Sequence, residues 1–347
     1  MAAPRFERKP APLAARVAAG VFSECVFAPI MWGTQKLGIA EKMLASVSDK
    51  REQEFVKKNP FRGYVPGPQD VFVMTYAKSG TNWMMQIVYQ LIHHGEGEFD
   101  HIHDVVPWPD AKLAGGPMMG DYAIPLEQAT AWQTAPERKR VIKTHLDWEL
   151  LPWSEEARYI SVIRDPKDVF VSSYFFIRDS GMGPAMPTVD TMYRLFLADK
   201  YFLGASWPQN AAGYWAQRHR PNVLVLSYAS MMRDLEGTVR RVAAFLDIHV
   251  RDEVIRMVCE KSSFEYMKRI DRKFGTFQVI PWRPPSVLMR KGRQGDSGEL
   301  LTPEQQREID AHCMAELKRL GSDLPYEEIC GLSMPAAAKA VSGTPGS

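Results

Sequence analysis

Short apolar runs alternate with longer segments of helical periodicity through the middle of the chain. The apolar runs, which are typical of buried strands, cover residues 71–75, 141–144, 159–163 and 223–226. The helical patterns cover residues 82–94, 167–176, 190–202, 235–246, 252–260 and 303–320. This alternation predicts an α/β fold with a single domain, in which helices flank a central parallel sheet. Ligands of such sheets bind beyond the carboxyl ends of the strands.

The two ends of the chain differ from this pattern. Residues 1–50 form an N-terminal extension that we expect to be helical, and residues 331–347 are expected to form a flexible tail. Residues 51–330 remain for the main domain. Within the extension, residues 17–32 are apolar, but they are fewer than the ~20 residues needed to span a membrane and include a glutamate and a proline. We interpret them as an amphipathic helix that packs on the protein, with a membrane-surface helix as the alternative.

Composition limits the classes of partner and metal. The chain has 43 basic and 41 acidic side chains, a net charge of +2, so we predict no nucleic-acid partner and any anion site must be local. The four cysteines lie far apart without a C-x-x-C pair. This spacing favours reduced thiols and a cytoplasmic location over a disulfide framework or a zinc site. We interpret the pairs His93/His94 and His101/His103 as solvated loop histidines and predict no metal.

The loop after the first predicted strand has the composition of an anion-binding site, because it reads K-S-G-T-N-W. Gly80 lets the backbone approach a phosphate, and the N–H groups of the following helix point at that phosphate. Lys78 adds a positive charge, Ser79 and Thr81 offer hydroxyl donors, and Trp83 offers a flat surface. A capped helix start without a ligand would use some of the same residue types.

A nucleotide or small-molecule kinase is the alternative function for this loop. The P-loop of such kinases reads G-x-x-x-x-G-K-[ST], in which the lysine follows the last glycine and the hydroxyl holds Mg²⁺. Here the lysine precedes the glycine, and residues 73–77 contain no upstream glycine. The order predicts a P-loop-like site that does not carry out Mg²⁺-assisted phosphoryl transfer.

Two further segments carry cations. Arg164 follows the third predicted strand and Ser172 lies on the next helix, so the two could grip one phosphate from two sides. Near the C-terminus, Arg290, Lys291 and Gly292 form a second cationic segment. Taken alone, each segment would also fit a solvated surface.

Lys143 and His145 lie at the end of the second predicted strand. Side chains alternate along a strand, so these two share one face. An alcohol is a poor nucleophile until its proton is withdrawn, and the ordinary pKa of imidazole, ~6.5, suits that task near neutrality. His145 is therefore a candidate general base, with a hydrogen-bonded structural histidine as the alternative.

Together these motifs resemble those of the PAPS-dependent, cytosolic-type sulfotransferases, where PAPS is 3′-phosphoadenylyl sulfate. The motifs of that family read T-Y-P-K-S-G-T-x-W, K-T-H, R-[DN]-x-K-D-x-x-x-S and R-K-G-x-x-G-D-W. The resemblance covers about residues 70–320, with the motifs in the expected order. It implies a P-loop-like nucleotide-binding sulfotransferase fold.

The resemblance also implies an activity, which is sulfuryl transfer from PAPS to a hydroxyl or amine of a small-molecule acceptor, with PAP as product and no metal. It makes His145 the base and makes Lys78 and Lys143 the cations that stabilise the leaving phosphate. Ser172 is counted with these three as a catalytic residue. The adenine would lie among Trp83, Tyr228 and Phe264. The residues implied to bind the donor are Lys78, Ser79, Gly80, Thr81, Asn82, Trp83, Arg164, Ser172, Tyr228, Ser262, Phe264, Met267, Arg290, Lys291 and Gly292.

The sequence departs from the family motifs at three positions. Ala77 replaces a proline, Ser262 replaces the commoner threonine, and Ser297 replaces a tryptophan. We expect these changes to affect local packing more than contacts to the nucleotide. Of the family's dimer motif K-x-x-x-T-V-x-x-x-E only Thr302 is retained, so that mode of dimerisation is not predicted and the oligomeric state stays open.

The acceptor is the least specified ligand. Loops at residues 101–120, 174–188 and 271–285 carry the aromatic residues Trp108, Phe175, Phe176, Phe274, Phe277 and Trp282. Loops of this composition can line an apolar cleft. They favour an aromatic or apolar alcohol as the acceptor.

Overall fold

A computed structural model describes residues 6–115, 121–201, 206–275, 278, 280–284, 287–292 and 295–330. The predicted flexible tail, residues 331–347, lies outside the described residues, and so does Phe277.

A four-stranded parallel sheet forms the centre of the molecule. Its strands are β1 (Asp70–Thr75), β2 (Arg140–Thr144), β3 (Arg158–Ile163) and β4 (Val223–Ser227), and their order is β2-β1-β3-β4. All three pairings are parallel, as the alternating pattern predicts. The strands are nearly continuous apolar runs because helices cover both faces of the sheet.

Helices make up most of the rest of the fold. In chain order they are α1 (Leu13–Lys36), α2 (Ala40–Lys57), α3 (Thr81–Ile92), α4 (Ala111–Gly115), α5 (Pro166–Ile177), α6 (Val189–Leu197), α7 (Trp207–Ala216), α8 (Tyr228–Arg233), α9 (Leu235–Phe245), α10 (Asp252–Lys261), α11 (Phe264–Arg269), α12 (Pro303–Arg319) and α13 (Tyr326–Ile329). The six predicted helices are present, although α6 ends five residues before its predicted end at residue 202. The short helices α8 and α11 begin at Ser227 and Ser263, whose hydroxyls accept backbone N–H bonds as N-caps.

Two large apolar clusters hold the helices on the sheet. One includes side chains of α3, α9 and α10, and the other includes side chains of α5, α6 and α12. Because all four strands run in the same direction, their carboxyl ends meet at one edge. That edge carries Thr75, Thr144, Ile163 and Ser227, and each predicted anion motif of the central chain follows one of these ends.

The N-terminal helix α1 differs from its prediction. It has 24 residues, including a π-helical stretch at Phe22–Phe27, and is long and apolar enough to cross a membrane by length and composition. Only Gly20 and Met31 along it are buried. The expectation of a short helix that buries an apolar face on the protein is therefore wrong, because most of the apolar side chains of α1 are exposed.

Candidate functional site

The loop between β1 and α3 turns sharply enough to aim backbone N–H groups at a ligand. Lys78 and Gly80 both have positive φ angles, 67° and 101°. A Cβ atom at Gly80 would lie 2.9 Å from the ring of Tyr228, so this position requires glycine for space as well as for conformation. The hydroxyls of Thr75 and Thr81 are 2.6 Å apart and tie the start of α3 to the end of β1.

Lys78, which is half-buried, and Ser79, which is buried, are the polar side chains at the turn of this loop. Burial, with a smaller contribution from Arg164, lowers the pKa of Lys78 to about 8. Its ammonium lies 4.4 Å from the centre of the Phe176 ring. The hydroxyl of Ser79 is buried and has no hydrogen-bond partner among the described residues. The loop thus combines a cation whose charge is sensitive to its surroundings with a hydroxyl able to accept or donate a further bond.

Arg164 follows β3 and lies against the same loop. Its Nη1 donates to the carbonyl oxygen of Lys78 at 3.0 Å, and its guanidinium stacks 4.5 Å from the centre of the Tyr228 ring. Its Nη2 is 3.7 Å from a carboxylate oxygen of Asp168. These contacts fix the plane of the guanidinium, while its buried Nε has no hydrogen-bond partner among the described residues.

His145 follows β2, and its ring is oriented by one hydrogen bond. Its Nδ1 lies 2.9 Å from the carbonyl oxygen of Thr75. Because a carbonyl only accepts, Nδ1 carries the proton and Nε2 keeps a lone pair. Burial, followed by the charge of Lys143, lowers the pKa of His145 to about 3. The imidazole is therefore neutral at physiological pH, in the form that a general base requires.

Lys143 lies beside His145, as the strand alternation predicts. Its ammonium is 3.5 Å from the centre of the Trp108 ring, a cation–π contact. Burial lowers its pKa to about 7, although Asp110 opposes the shift. Asp110 also accepts the backbone N–H of His145 at 3.0 Å. The segment that carries Trp108 and Asp110 follows the outer edge of β2, where Pro107 accepts the N–H of Lys143.

Residues of the C-terminal cationic segment, Arg290, Lys291 and Gly292, also line the site. Lys291 forms an ion pair with Glu299 at 2.7 Å, and Arg290 bonds the same carboxylate. Gly292 has a φ of 62°, and a Cβ atom there would lie 2.0 Å from the ring of Phe264. The backbone of this segment therefore packs directly on the ring of Phe264, which the family resemblance implies to lie near adenine.

These groups share one cavity of about 460 Å³, within the range of ligand sites. Every predicted site residue except Ser79 lines it, namely His145, Lys78, Lys143, Ser172, Gly80, Thr81, Asn82, Trp83, Arg164, Tyr228, Ser262, Phe264, Met267, Arg290, Lys291 and Gly292. Ser79 lies in the loop at its wall, with its side chain buried. The indole N–H of Trp83 donates to the carbonyl oxygen of Ser262 at 2.7 Å, which joins two of these segments.

The aromatic residues predicted for the acceptor loops divide into two groups. Trp108, Phe176 and Phe274 line the cavity. Phe175 does not line it and instead stacks beneath Arg290, 4.7 Å away. Trp282 also lies off the cavity and is half exposed.

Several residues of the site carry no recognisable signal in the sequence. Arg51, Tyr122 and Met182 line the cavity, and Asp110 supports His145. Arg51 belongs to the polar helix α2, which no apolar pattern indicated. None of the four forms a motif, so no signal in a single sequence distinguishes them.

The histidine pairs require one correction. His101 and His103 are not solvated, because both are buried. Their ring nitrogens lie 2.9 Å and 2.8 Å from the carbonyl oxygens of Gly275 and Val106. Within the described part of the chain, no group of three or more His, Cys, Asp or Glu residues is placed to hold a metal ion.

Comparison with known proteins identifies the family. The sulfotransferase domain model matches residues 68–321. The chain belongs to the sulfotransferase family. This sulfotransferase is 30% identical over 251 residues to 3-alpha-hydroxysteroid sulfotransferase of Cavia porcellus, covering 70% of this chain and 81% of the relative. It is 29% identical over 254 residues to sulfotransferase 1C2 of Homo sapiens, again covering 70% and 81%.

Its fold is similar to that of solved sulfotransferase-like structures. Retinol dehydratase, solved in complex with androsterone and the inactive cofactor PAP, matches with a TM-score of 0.66 and 23% identity. The match covers 79% of this chain and 88% of that one. This likeness confirms the predicted α/β architecture, and the domain match over residues 68–321 confirms the predicted family.

Proposed function

We propose that this sulfotransferase transfers the sulfuryl group of PAPS to a hydroxyl or amine of a small apolar acceptor, with His145 as general base. The observation that carries the proposal is the convergence of three distant cationic segments on one cavity with the neutral imidazole of His145. A site built only to bind a nucleotide would not need a deprotonated imidazole nitrogen at its wall.

The residues of the cavity fit a donor that carries a phosphosulfate on the 5′ oxygen and a phosphate on the 3′ oxygen of its ribose. The loop with Lys78 and Gly80 suits the 5′-phosphosulfate, because positive-φ backbone and a lysine meet there. Arg164, Ser172 and the Arg290–Gly292 segment suit the 3′-phosphate. Ser79 Oγ and Arg164 Nε, both buried without described partners, are donors available to such oxygens.

The proposed reaction removes a proton from the acceptor and transfers the sulfuryl group from PAPS to it. His145 Nε2 takes the proton of the acceptor as the acceptor oxygen or nitrogen bonds to sulfur. The bond between sulfur and the bridging oxygen breaks, and its electron pair stays on PAP. Lys78 and Lys143 stabilise the negative charge that develops on that oxygen. Asp110, which accepts the N–H of His145, keeps the backbone of the base in place.

The acceptor side of the cavity favours an apolar molecule. Trp108, Phe176, Phe274 and Met182 contribute flat or flexible apolar walls. The relative named above is a hydroxysteroid sulfotransferase, and retinol dehydratase was solved with androsterone. These names support an aromatic, steroid-like or isoprenoid-like alcohol as the acceptor class.

We further propose a cytoplasmic location and a catalytic domain of residues 51–330. All four cysteines are free thiols, which suits a reducing compartment. The kinase alternative is not favoured, because the chain belongs to the sulfotransferase family and its loop lacks the Walker A order.

Isothermal titration with PAP, ATP and GTP tests the donor assignment. We expect PAP to bind most tightly, because only PAP has a 3′-phosphate for Arg164 and the C-terminal segment. Sub-micromolar binding of ATP with no detectable binding of PAP would contradict the proposed function.

A further inference from the structure

Helix α1 presents an apolar face to the outside of the molecule. Between Leu13 and Gln35, every exposed side chain is apolar or a thiol. The large exposed side chains of this face are Leu13, Val17, Val21, Phe22, Val26, Ile30 and Trp32, with Phe22 57% and Trp32 66% exposed. Apolar faces of this extent on a soluble protein mark an interaction surface.

The π-helical stretch supports the continuity of this face. Val17 and Val21 are four residues apart, and so are Val26 and Ile30, but the step from Val21 to Val26 is five residues. That longer step falls at Phe22–Phe27, where the hydrogen bonds run from i to i+5 and the turn is wider. The wider turn accommodates the extra residue and keeps the apolar residues on one side.

The charged side chains of α1 that precede its last residue are turned toward the protein. Arg16 Nε donates to the carbonyl oxygen of Gln278 at 3.0 Å. Glu24 accepts from the guanidinium of Arg283 at 2.7 Å and from the indole of Trp282 at 3.0 Å. The outward face therefore carries no charge until Lys36.

These inward contacts also hold α1 flat along the molecule. Arg16 lies near its first turn and Glu24 near its middle, while the side chain of Gln35 accepts the N–H of Thr188 at 2.8 Å near its end. The helix is about 36 Å long by its 24 residues. An upright, membrane-spanning orientation would break all three attachments.

We propose that this apolar face docks α1 in the plane of an anionic lipid bilayer. A protein partner or a second copy would be met by a surface with polar groups at its rim, whereas on α1 before Lys36 the only polar side chain classed as exposed is the thiol of Cys25. A lipid surface instead takes an uncharged stripe flanked by cations and interfacial aromatics. Lys36 and Lys42 are exposed at its end, and the ammonium of Lys36 lies 5.8 Å from the centre of the Trp32 ring.

Docking would bring the cavity rim to the membrane. Arg283, the partner of Glu24, also donates to the carbonyl oxygen of Gly181 at 3.2 Å, and Gly181 lines the cavity. Apolar acceptors dissolved in the bilayer would then reach the site directly. This consequence rests on the proposed function, whereas docking itself does not.

Co-sedimentation of the full chain with vesicles tests the docking, using pure phosphatidylcholine and a mixture with phosphatidylglycerol. We expect wild type to pellet with the mixed vesicles and to be released by alkaline carbonate. The double variant Val26→Glu with Ile30→Glu should lose about tenfold or more in partitioning, because it places two charges in the apolar stripe. The matched control, Val65→Glu with Met314→Glu, adds the same charges at exposed positions outside α1 and should pellet like wild type.

Circular dichroism and Tm establish that each variant is folded, without reference to activity. Wild type that stays in the supernatant with both vesicles overturns the proposal. So does a dimer, seen by sedimentation without lipid, that the α1 variant dissociates, since the face would then bind a second copy. Resistance to carbonate would also contradict it, because the helix would span the bilayer.

Discussion

Among single residues, His145 depends on a hydrogen bond of its ring for the tautomer that a general base needs. The Thr75 carbonyl fixes the proton on Nδ1, and burial beside Lys143 keeps the ring neutral. Loss of the imidazole removes the acceptor of the proton but no group that we assign to the nucleotide.

We therefore predict that His145→Ala lowers turnover by about 100-fold or more while changing PAP affinity by less than about threefold. Steady-state rates and isothermal titration measure the two effects. His249→Ala, at a side chain 88% exposed, is the control and should behave like wild type. A His145→Ala enzyme that keeps more than a tenth of wild-type turnover would remove His145 as the base.

Because the two lysines of the cavity have lowered pKa values, we expect nucleotide binding to be coupled to proton uptake. The pKa of Lys143 is lowered to about 7 and that of Lys78 to about 8, mainly by burial. Both groups lose charge as the pH rises through these values, so PAP affinity should fall between pH 7 and pH 9. Bound phosphates favour the charged ammonium and raise both pKa values.

At pH 8, PAP binding should therefore take up about one proton. Titrations in buffers of different ionisation enthalpy measure this uptake. Lys143→Arg keeps its charge at every accessible pH and should take up less. An uptake of zero in wild type, or an equal uptake in the variant, would show that Lys143 does not change its protonation on binding.

At the scale of elements, the C-terminal segment depends on a close approach between backbone and ring. Gly292 and Gly295 both have positive φ angles, 62° and 79°. A Cβ atom at Gly292 would overlap Phe264, whereas one at Gly295 would have nothing within 4 Å. Substitutions at these two glycines therefore separate the effect of the contact with Phe264 from the effect of backbone strain.

We predict that Gly292→Ala weakens PAP binding by about tenfold or more, while Gly295→Ala, with similar strain of ~1–2 kcal/mol, weakens it by less than about threefold. Isothermal titration measures both affinities, and Tm checks that the two variants are destabilised alike. Equal losses of affinity would mean that the contact with Phe264 does not shape the nucleotide site.

The sequence predicted those elements whose patterns are local. The strands are nearly unbroken apolar runs, and their motifs follow strand ends that the parallel topology brings together. Residues 40–50 of α2 belong to the extension expected to be helical, but the continuation of the helix to Lys57 shows no apolar period. Helices α8 and α11 were missed because six residues show no period. Asp110 could not be predicted, since only the path of its segment along β2 brings it to His145.

At the scale of the whole molecule, the donor would bridge segments more than 100 residues apart in the chain, from Lys78 to Arg290. A ligand that binds only the folded state stabilises it, by ~2.7 kcal/mol at a concentration of 100 Kd. PAP should therefore raise Tm more than adenosine 5′-monophosphate, which lacks the 3′-phosphate.

Arg164→Ala should reduce that difference, because its guanidinium is assigned to the 3′-phosphate. Thermal unfolding with each nucleotide at one concentration measures the effect. Equal stabilisation by the two nucleotides in wild type, or an unchanged difference in Arg164→Ala, would refute that assignment.

Transfer of labelled sulfur from PAPS to an acceptor is the direct measure of the proposed activity. The enzyme is incubated with sulfur-labelled PAPS and a panel of apolar alcohols and amines, with γ-phosphate-labelled ATP in parallel. We predict that label from PAPS appears on at least one acceptor, that PAP forms in equal amount, and that His145→Ala lowers the rate of both by about 100-fold or more. Label transferred from ATP but not from PAPS would show that the protein is a kinase and not a PAPS-dependent sulfotransferase.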